Sequence, residues 1–214
     1  HALARTAASE SIVLLKNVDR LLAMNVNELK RIAITGEFAK LQRYQGSGSS
    51  QVNPTKVSNT YDELVKIAGD DQKFVYAVGY NSEGEVTERL LDDARKAAVR
   101  AEVALVFAGL PDSYESEGFD RASLDIPLGH QQLIEAVASV QPNVAVVLMN
   151  GSAVTMPWAD KVKAIVEAWL DAPAATRARP DAPASETCPG SFDYAQDKLP
   201  QKILRKMIVM DGEE

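Results

Sequence analysis

Short apolar segments alternate with amphipathic helical patterns along most of the chain, from Ile32 onward. Three of the segments are apolar at nearly every position, which is typical of strands that are buried on both faces of a parallel sheet. The segments that we predict as strands are 32–35, 74–78, 103–107, 144–148 and 164–169. We expect them to form a mainly parallel sheet flanked by helices, with four side chains buried on central strands: Ile34, Val75, Leu105 and Val146.

Helical periodicity separates these strands. Apolar residues recur at intervals of three and four over 61–68, 90–101 and 133–140, and Thr60 with Glu63 fits a capping box at the first helix. Ahead of Ile32, residues 3–10 fit a helix that leads into the apolar segment 12–15, itself a helix or a strand. This order predicts an α/β fold, a three-layer sandwich around a mainly parallel sheet.

The C-terminal part of the sequence differs from the rest. Residues 171–214 hold five of the ten prolines and the single cysteine, Cys188, and no strand or helix periodicity persists before residue 203. We therefore predict an α/β domain over residues 1–170 and a divergent, mostly disordered tail over residues 171–214.

Charge and composition exclude several classes of function. The 23 Lys and Arg residues against 30 Asp and Glu residues give a net charge of −7, which argues against a nucleic-acid partner. One cysteine and two histidines are too few for a Cys/His metal centre, and no glycine-rich nucleotide motif is present. No apolar run reaches the roughly 20 residues of a membrane-spanning helix. We expect no cofactor, no metal, no nucleic acid and no membrane contact.

Ligands of open α/β sheets bind beyond the carboxyl ends of the strands, so the loops after the strands are the first candidates for a site. The loop 36–54 contains the string GSGSS at 46–50, in which glycines permit close backbone approach and serines offer hydroxyls. A flexible surface loop is the alternative interpretation of the same composition.

A second loop is strongly acidic. Residues 112–121 hold four carboxylates and one arginine, and a carboxylate crowded by like charges has a raised pKa, as a general acid near neutral pH requires. We expect Gly118 to turn the backbone so that Glu117 is presented, and Arg121 to pair with Asp120. The alternative is a solvated acidic surface.

Two further residues are candidates for a site or for the core. Trp158 follows the turn signal Asn150-Gly151 and is expected to pack in the core rather than to form a sugar-stacking platform. His130 has no evident Ser and Asp partners, so we expect it to be exposed and find no support for a Ser-His-Asp triad.

Four strings in a fixed order resemble the second domain of glycoside hydrolase family 3, with its β-glucosidase branch the most similar. The strings are AASESIVLLKN at 7–17, GSGSS at 46–50, ESEGFDR at 115–121 followed by LDIP at 124–127, and NGSAVTMPW at 150–158. The resemblance covers residues 1 to about 170. Four motifs in order are far more specific than any one of them.

The resemblance implies a retaining β-glucosidase-like exo-glycosidase whose active site is shared by two domains. A preceding TIM barrel would supply an aspartate nucleophile, and the domain seen here would supply the acid/base glutamate. The family pattern places that residue at Glu117, with Glu115 as the alternative, and places Ser49 in the loop that reaches the sugar. The implied substrate is a β-linked glucoside or oligosaccharide, and no cofactor is implied.

The sequence departs from the family pattern in two ways. These 214 residues include no barrel sequence, so we expect this chain alone to be inactive. Beyond residue 170 the family continues with a Pro-Gly-rich turn and a helix, whereas this sequence does not. We therefore expect the sandwich to be incomplete at its C-terminal end. A non-catalytic sugar-binding or interaction domain is the alternative function.

Overall fold

The computed structural model describes residues 11–26, 28–41, 43–49, 51–53 and 59–170, together with the backbone of residues 208 and 209. The strands are β1 Val13–Asn17, β2 Met24–Asn25, β3 Ile32–Thr35, β4 Phe74–Ala77, β5 Val103–Gly109, β6 Val144–Met149, β7 Ala164–Glu167 and β8 Ile208–Val209. The α-helices are α1 Thr60–Ala68, α2 Glu88–Val99 and α3 Leu128–Ala138.

Six of the strands form one mixed sheet in the order β1-β7-β6-β5-β3-β4. All neighbouring pairs are parallel except β1 with β7, which is antiparallel. The prediction of an α/β fold with a mainly parallel sheet is therefore confirmed, and segment 12–15 belongs mostly to a strand. The helix predicted for 3–10 lies outside the described residues.

The middle of this sheet forms the core. Ile34, Leu105 and Val146 are completely buried, as the apolar runs predict. Val75, in contrast, is only partly buried, because β4 is an edge strand and not a central one. Trp158 is fully buried in the core, which confirms the packing role predicted for it.

The helices form between the strands at the predicted places. Helices α2 and α3 contact each other, α2 also contacts β3 and β4, and α3 contacts β5. The N-terminus of α1 begins one residue earlier than the capping-box prediction, since the cap is Asn59, whose side chain accepts from the Asp62 amide at 2.8 Å. Thr60 is the first residue of the helix.

The strand order creates a switch point between β3 and β5. The chain passes from β3 outward to the edge strand β4 and then returns to place β5 on the other side of β3. At such a point the loops that follow the two neighbouring strands diverge and leave a crevice between them. The two loops concerned are those that carry the GSGSS string and the acidic residues.

Two residues of the predicted tail, Ile208 and Val209, form β8, a short strand parallel to β2. The remainder of 171–214 lies outside the described residues, so the predicted tail and the incomplete C-terminal end of the sandwich stay predictions. Within the described residues, no helix combines the length and apolar character needed to cross a membrane.

Candidate functional site

Three loops meet at the carboxyl ends of β3, β5 and β6. We call them the glycine-serine loop (36–53), the acidic loop (110–127) and the Asn-Gly loop (150–158). The first two join through a short parallel bridge between Ser47 and Ser116. In this bridge the Ser47 amide donates to the Glu115 carbonyl and the Glu117 amide donates to the Ser47 carbonyl, each at 3.0 Å.

Glu117 and Ser49 are brought together in the structure. The Glu117 Oε2 atom accepts from the Ser49 amide at 2.7 Å and from the Ser49 hydroxyl at 2.6 Å, and both residues are exposed. These two donors stabilise the ionised carboxylate and lower the pKa of Glu117. The expectation that crowding by like charges raises the pKa is therefore wrong for Glu117 in this chain.

The backbone on either side of this contact requires glycine. Gly48 has a φ of +138°, and a Cβ atom there would lie 2.7 Å from the Glu117 carboxylate oxygen. Gly118 has a φ of +91°, which confirms the turn predicted beside Glu117. The carboxylate thus lies directly against the backbone of the glycine-serine loop.

Glu115 is held in a different way from Glu117. Its carboxylate accepts from the Gly151 amide at 2.9 and 3.0 Å and from the Ser152 hydroxyl at 2.7 Å. The Arg43 guanidinium lies 3.6 Å away, and only 11% of the Glu115 side chain is exposed. The largely buried Glu115 carboxylate therefore connects the acidic loop to the Asn-Gly loop.

Arg43 of the glycine-serine loop contacts the first residues of the acidic loop, and sequence reasoning did not identify it. This arginine is 5% exposed, donates from Nε to the Leu110 carbonyl at 2.7 Å and forms an ion pair with Asp112. Burial lowers the pKa of Arg43, and the Glu115 charge opposes that effect. No spacing rule connects Arg43 with Asp112, because the two lie on different loops.

The remaining charges of the acidic loop also find separate partners. Arg121 donates to the Ser152 hydroxyl at 3.0 Å and to the Ala153 carbonyl at 2.8 Å, so its predicted pairing with Asp120 is wrong. Asp120 is exposed. Neighbouring loops thus supply donors to three of the four carboxylates of 112–121.

His130 is buried and not exposed as expected. Its Nδ1 atom accepts from the Gly109 amide at 3.2 Å, and its ring lies 3.8 Å from that of Tyr80, centroid to centroid. Burial lowers the pKa of His130 to about 3, so the imidazole is neutral at physiological pH. It is a core residue at the start of α3.

A pocket of about 510 Å³ lies between the glycine-serine loop, the loop after β4 and the start of the acidic loop. Its walls include Phe38, Tyr44, Gln45, Glu83 and Asp112. Glu117, Glu115 and Ser49 do not line it, so this volume is separate from the paired Glu117 and Ser49. In the described part of the chain, no group of three or more His, Cys, Asp or Glu residues is arranged to hold a metal ion.

Comparison with protein families gives a direct match. Residues 12–182 match the model of the glycosyl hydrolase family 3 C-terminal domain. The chain belongs to this family. The match extends 12 residues beyond residue 170, where we predict the divergent tail to begin.

Relatives in the family confirm the resemblance to β-glucosidases. The chain is 53% identical over 171 residues to thermostable beta-glucosidase B of Acetivibrio thermocellus, which covers 79% of this chain and 22% of that protein. It is 44% identical over 176 residues to an exo-alpha-(1->6)-L-arabinopyranosidase of Bifidobacterium longum, covering 78% of this chain and 23% of that protein.

A solved structure agrees with these sequence relatives. The crystal structure of the Bifidobacterium adolescentis family 3 beta-glucosidase superimposes with a TM-score of 0.72 at 43% identity, over 81% of this chain and 26% of that chain. This chain therefore spans about a quarter of the length of its relatives.

Proposed function

We propose that this chain supplies the acid/base half of a retaining glycosidase active site, with Glu117 as the proton-transferring residue. In such enzymes one carboxyl group attacks the anomeric carbon while the other protonates the leaving oxygen. The group that gave up its proton then acts as a base and activates water in the second step. The nucleophile would come from a TIM barrel outside these 214 residues. We therefore expect the 214 residues by themselves not to hydrolyse glycosides.

The observation that carries this proposal is the contrast between the two glutamates. The Glu117 carboxylate is exposed where the sheet has its switch point, and its two donors both come from Ser49. The Glu115 carboxylate is largely buried and accepts hydrogen bonds from the Asn-Gly loop. A carboxylate that transfers a proton to a substrate must be reachable by it, which favours Glu117 over Glu115.

The lowered pKa of Glu117 bears on its protonation state in each of the two steps. An ionised Glu117 is ready to act as the base that activates water in the second step. To act as the acid in the first step it must hold a proton. A barrel and a bound sugar that exclude water raise the pKa of an enclosed carboxyl, and so does withdrawal of the Ser49 donors.

Ser49 has two roles in this proposal. In the free chain its amide and hydroxyl orient the Glu117 carboxylate. In the assembled enzyme the exposed Ser49 hydroxyl also contacts the sugar, and a sugar hydroxyl that takes over this contact weakens the hold on Glu117. Substrate binding and protonation of Glu117 are linked in this way.

The proposed substrate is a β-linked glucoside or oligosaccharide cleaved at its non-reducing end. The similarity to a beta-glucosidase supports a β-linked glucoside, and the similarity to an exo-acting arabinopyranosidase supports cleavage at a chain end. The sugar contacts of the barrel domain set the choice among these sugars, and that domain is the principal partner of this chain.

The test is a chimaera in which residues 12–170 replace the corresponding segment of the Acetivibrio thermocellus beta-glucosidase. We expect Glu117→Ala to slow cleavage of glucosides with poor leaving groups far more than those with activated ones, by a factor approaching about 10²–10⁴. Azide restores activity of this variant on an activated substrate, since the anion replaces the water that the missing base no longer activates.

Two matched variants complete the design. Glu115→Ala should affect both substrate classes alike, and Glu83→Ala, which removes an exposed carboxylate of another loop, serves as the control. If Glu115→Ala shows the leaving-group dependence and azide rescue instead, the acid/base role belongs to Glu115. If neither glutamate shows them, the acidic loop does not supply the acid/base residue.

A further inference from the structure

A buried carboxylate outside the acidic loop ends strand β7. Glu167 is 6% exposed, and in the sheet it lies opposite Leu148 of β6 and Val13 of β1. A carboxylate at such a position is costly unless its oxygens accept hydrogen bonds. Glu167 is therefore expected to have specific partners.

Both Glu167 oxygens have such partners. Oε1 accepts from the Trp169 amide at 2.9 Å, where Trp169 has a φ of +61°, and Oε2 accepts from the Asn150 side-chain amide at 3.1 Å. A positive φ is unfavourable for tryptophan, so this turn needs support from its surroundings. One carboxylate thus braces the turn after β7 and the residue that follows β6.

Asn150 passes this constraint into the Asn-Gly loop. Its Nδ2 atom also donates to the Ser152 carbonyl at 3.0 Å, which shapes the turn 150–152. The Gly151 amide and the Ser152 hydroxyl of this turn are the donors to the Glu115 carboxylate. The conformation of Asn150 therefore determines where the donors of Glu115 lie.

Glu115 in turn precedes Glu117 by two residues in the same short bridge. The Glu115 carbonyl accepts from the Ser47 amide, and the Ser47 carbonyl accepts from the Glu117 amide. A displacement of Glu115 would shift this bridge and with it the contact between Glu117 and Ser49. A continuous series of hydrogen bonds and peptide links thus joins Glu167 to Glu117.

We propose that Glu167 is a positioning residue: it holds Asn150, and through the Asn-Gly loop and Glu115 it fixes the bridge that presents Glu117. Its relevance to catalysis rests on the proposed role of Glu117. Glu167 itself touches no substrate in this proposal, because it is buried.

The titration of Glu167 offers a way to observe this coupling. Burial, assisted by the charge of Glu115, raises the pKa of Glu167 to about 7, against the opposing effect of the Trp169 and Asn150 hydrogen bonds. Beyond Glu115, the charged groups that contact this network are Arg43, which lies 3.6 Å from Glu115, and Arg121, which donates to Ser152. A protonated carboxyl is a weaker acceptor, so acidification from pH 8 to 6 loosens the Asn-Gly loop.

The experiment measures amide hydrogen exchange by NMR in the 214-residue chain. The reporters are the amides of Gly151, Ser49 and Glu117, and the reference is the set of amides in β5 and β6. We expect Glu167→Ala to reduce protection of the three reporters about tenfold while the reference amides change less than about threefold. Glu63→Ala, which removes another buried carboxylate on α1, should leave the reporters unchanged.

Glu167→Gln provides a second arm that keeps the side chain's shape. Protection of the Gly151 amide, corrected for intrinsic exchange, should fall about threefold from pH 8 to 6 in the wild type and stay constant in Glu167→Gln. The proposal is overturned if Glu167→Ala spares the reporters, if it affects reporters and reference equally, or if both proteins show the same pH dependence. These results do not depend on glycosidase activity, whereas the chimaera tests Glu117 directly.

Discussion

Two buried groups should oppose each other in the pH dependence of stability. His130 is neutral in the folded chain, because burial lowers its pKa to about 3. The unfolded chain takes up a proton there below a pKa of about 6.5, so the free energy of unfolding falls as the pH is lowered through 6.5. From pH 7 to pH 5 this linkage removes about 2 kcal/mol.

Glu167 acts in the opposite direction. Its pKa is raised to about 7 in the folded chain, so the folded state takes up a proton before the unfolded state does. This contribution to stability is complete below the unfolded pKa, near 4.5, and is lost as the pH rises through 7. From pH 7 to pH 5 it adds about 2 kcal/mol, which offsets the loss at His130.

The assay is urea unfolding at pH 7, 6 and 5, followed by the fluorescence of the two tryptophans, the buried Trp158 and the exposed Trp169. The wild-type free energy of unfolding should change by less than about 1 kcal/mol from these two groups together. His130→Asn, which keeps an acceptor for the Gly109 amide, should gain about 2 kcal/mol relative to wild type on going to pH 5, and Glu167→Gln should lose about as much.

Subtracting the wild-type free energy of unfolding from that of each variant cancels the contribution of groups that titrate alike in all the proteins. The double variant should recover the flat wild-type profile, and Glu135→Gln, which alters an exposed carboxylate, should follow the wild type. Equal pH slopes in wild type and His130→Asn would refute the reasoning about the buried imidazole. Equal slopes in wild type and Glu167→Gln would refute it for the carboxyl.

Two further predictions concern Glu117. The purified 214-residue chain should not hydrolyse aryl β-glucosides, since proton donation without a nucleophile gives little transition-state stabilisation, and turnover that survives Glu117→Gln would point to a different site. Ser49→Ala should raise the pKa of Glu117 toward its ordinary value in a ¹³C-carboxyl NMR titration, because the Ser49 hydroxyl donor is lost. Ser49→Thr keeps the hydroxyl and serves as the control. An unchanged pKa in Ser49→Ala would show that Ser49 does not hold the carboxylate in solution.

The strands could be predicted because continuous apolar runs permit few alternatives, and β3 begins and ends at the predicted residues. The order of the strands could not be predicted, and this explains Val75, whose burial depends on a neighbour that β4 does not have. The resemblance to the family identified the acidic loop, but charge counting gave the wrong direction for the pKa of Glu117. Its donor, Ser49, lies 68 residues away in the chain, and local spacing carries no information about such a partner.

The partners of Glu115 are also distant in sequence, since they lie 36 and 37 residues away in the Asn-Gly loop. His130 illustrates a further limit. Its position at the start of a helix gives no indication that Phe38 and Tyr80 enclose it, since those residues follow β3 and β4. Burial of a polar side chain depends on tertiary neighbours, whereas hydrophobic periodicity reports only on the element itself.

The internal bracing of the acidic loop has a consequence for stereochemistry. On the proposed role of Glu117, the chain builds the surroundings of the acid/base carboxylate without help from another domain. The gap between that carboxylate and a nucleophile on a second domain is then a matter of how two rigid bodies are placed. Retention requires about 5–5.5 Å between the carboxyl groups and inversion about 6.5–9.5 Å. A change of a few ångströms in docking, with every loop contact intact, would separate a retaining enzyme from an arrangement unable to form the covalent intermediate.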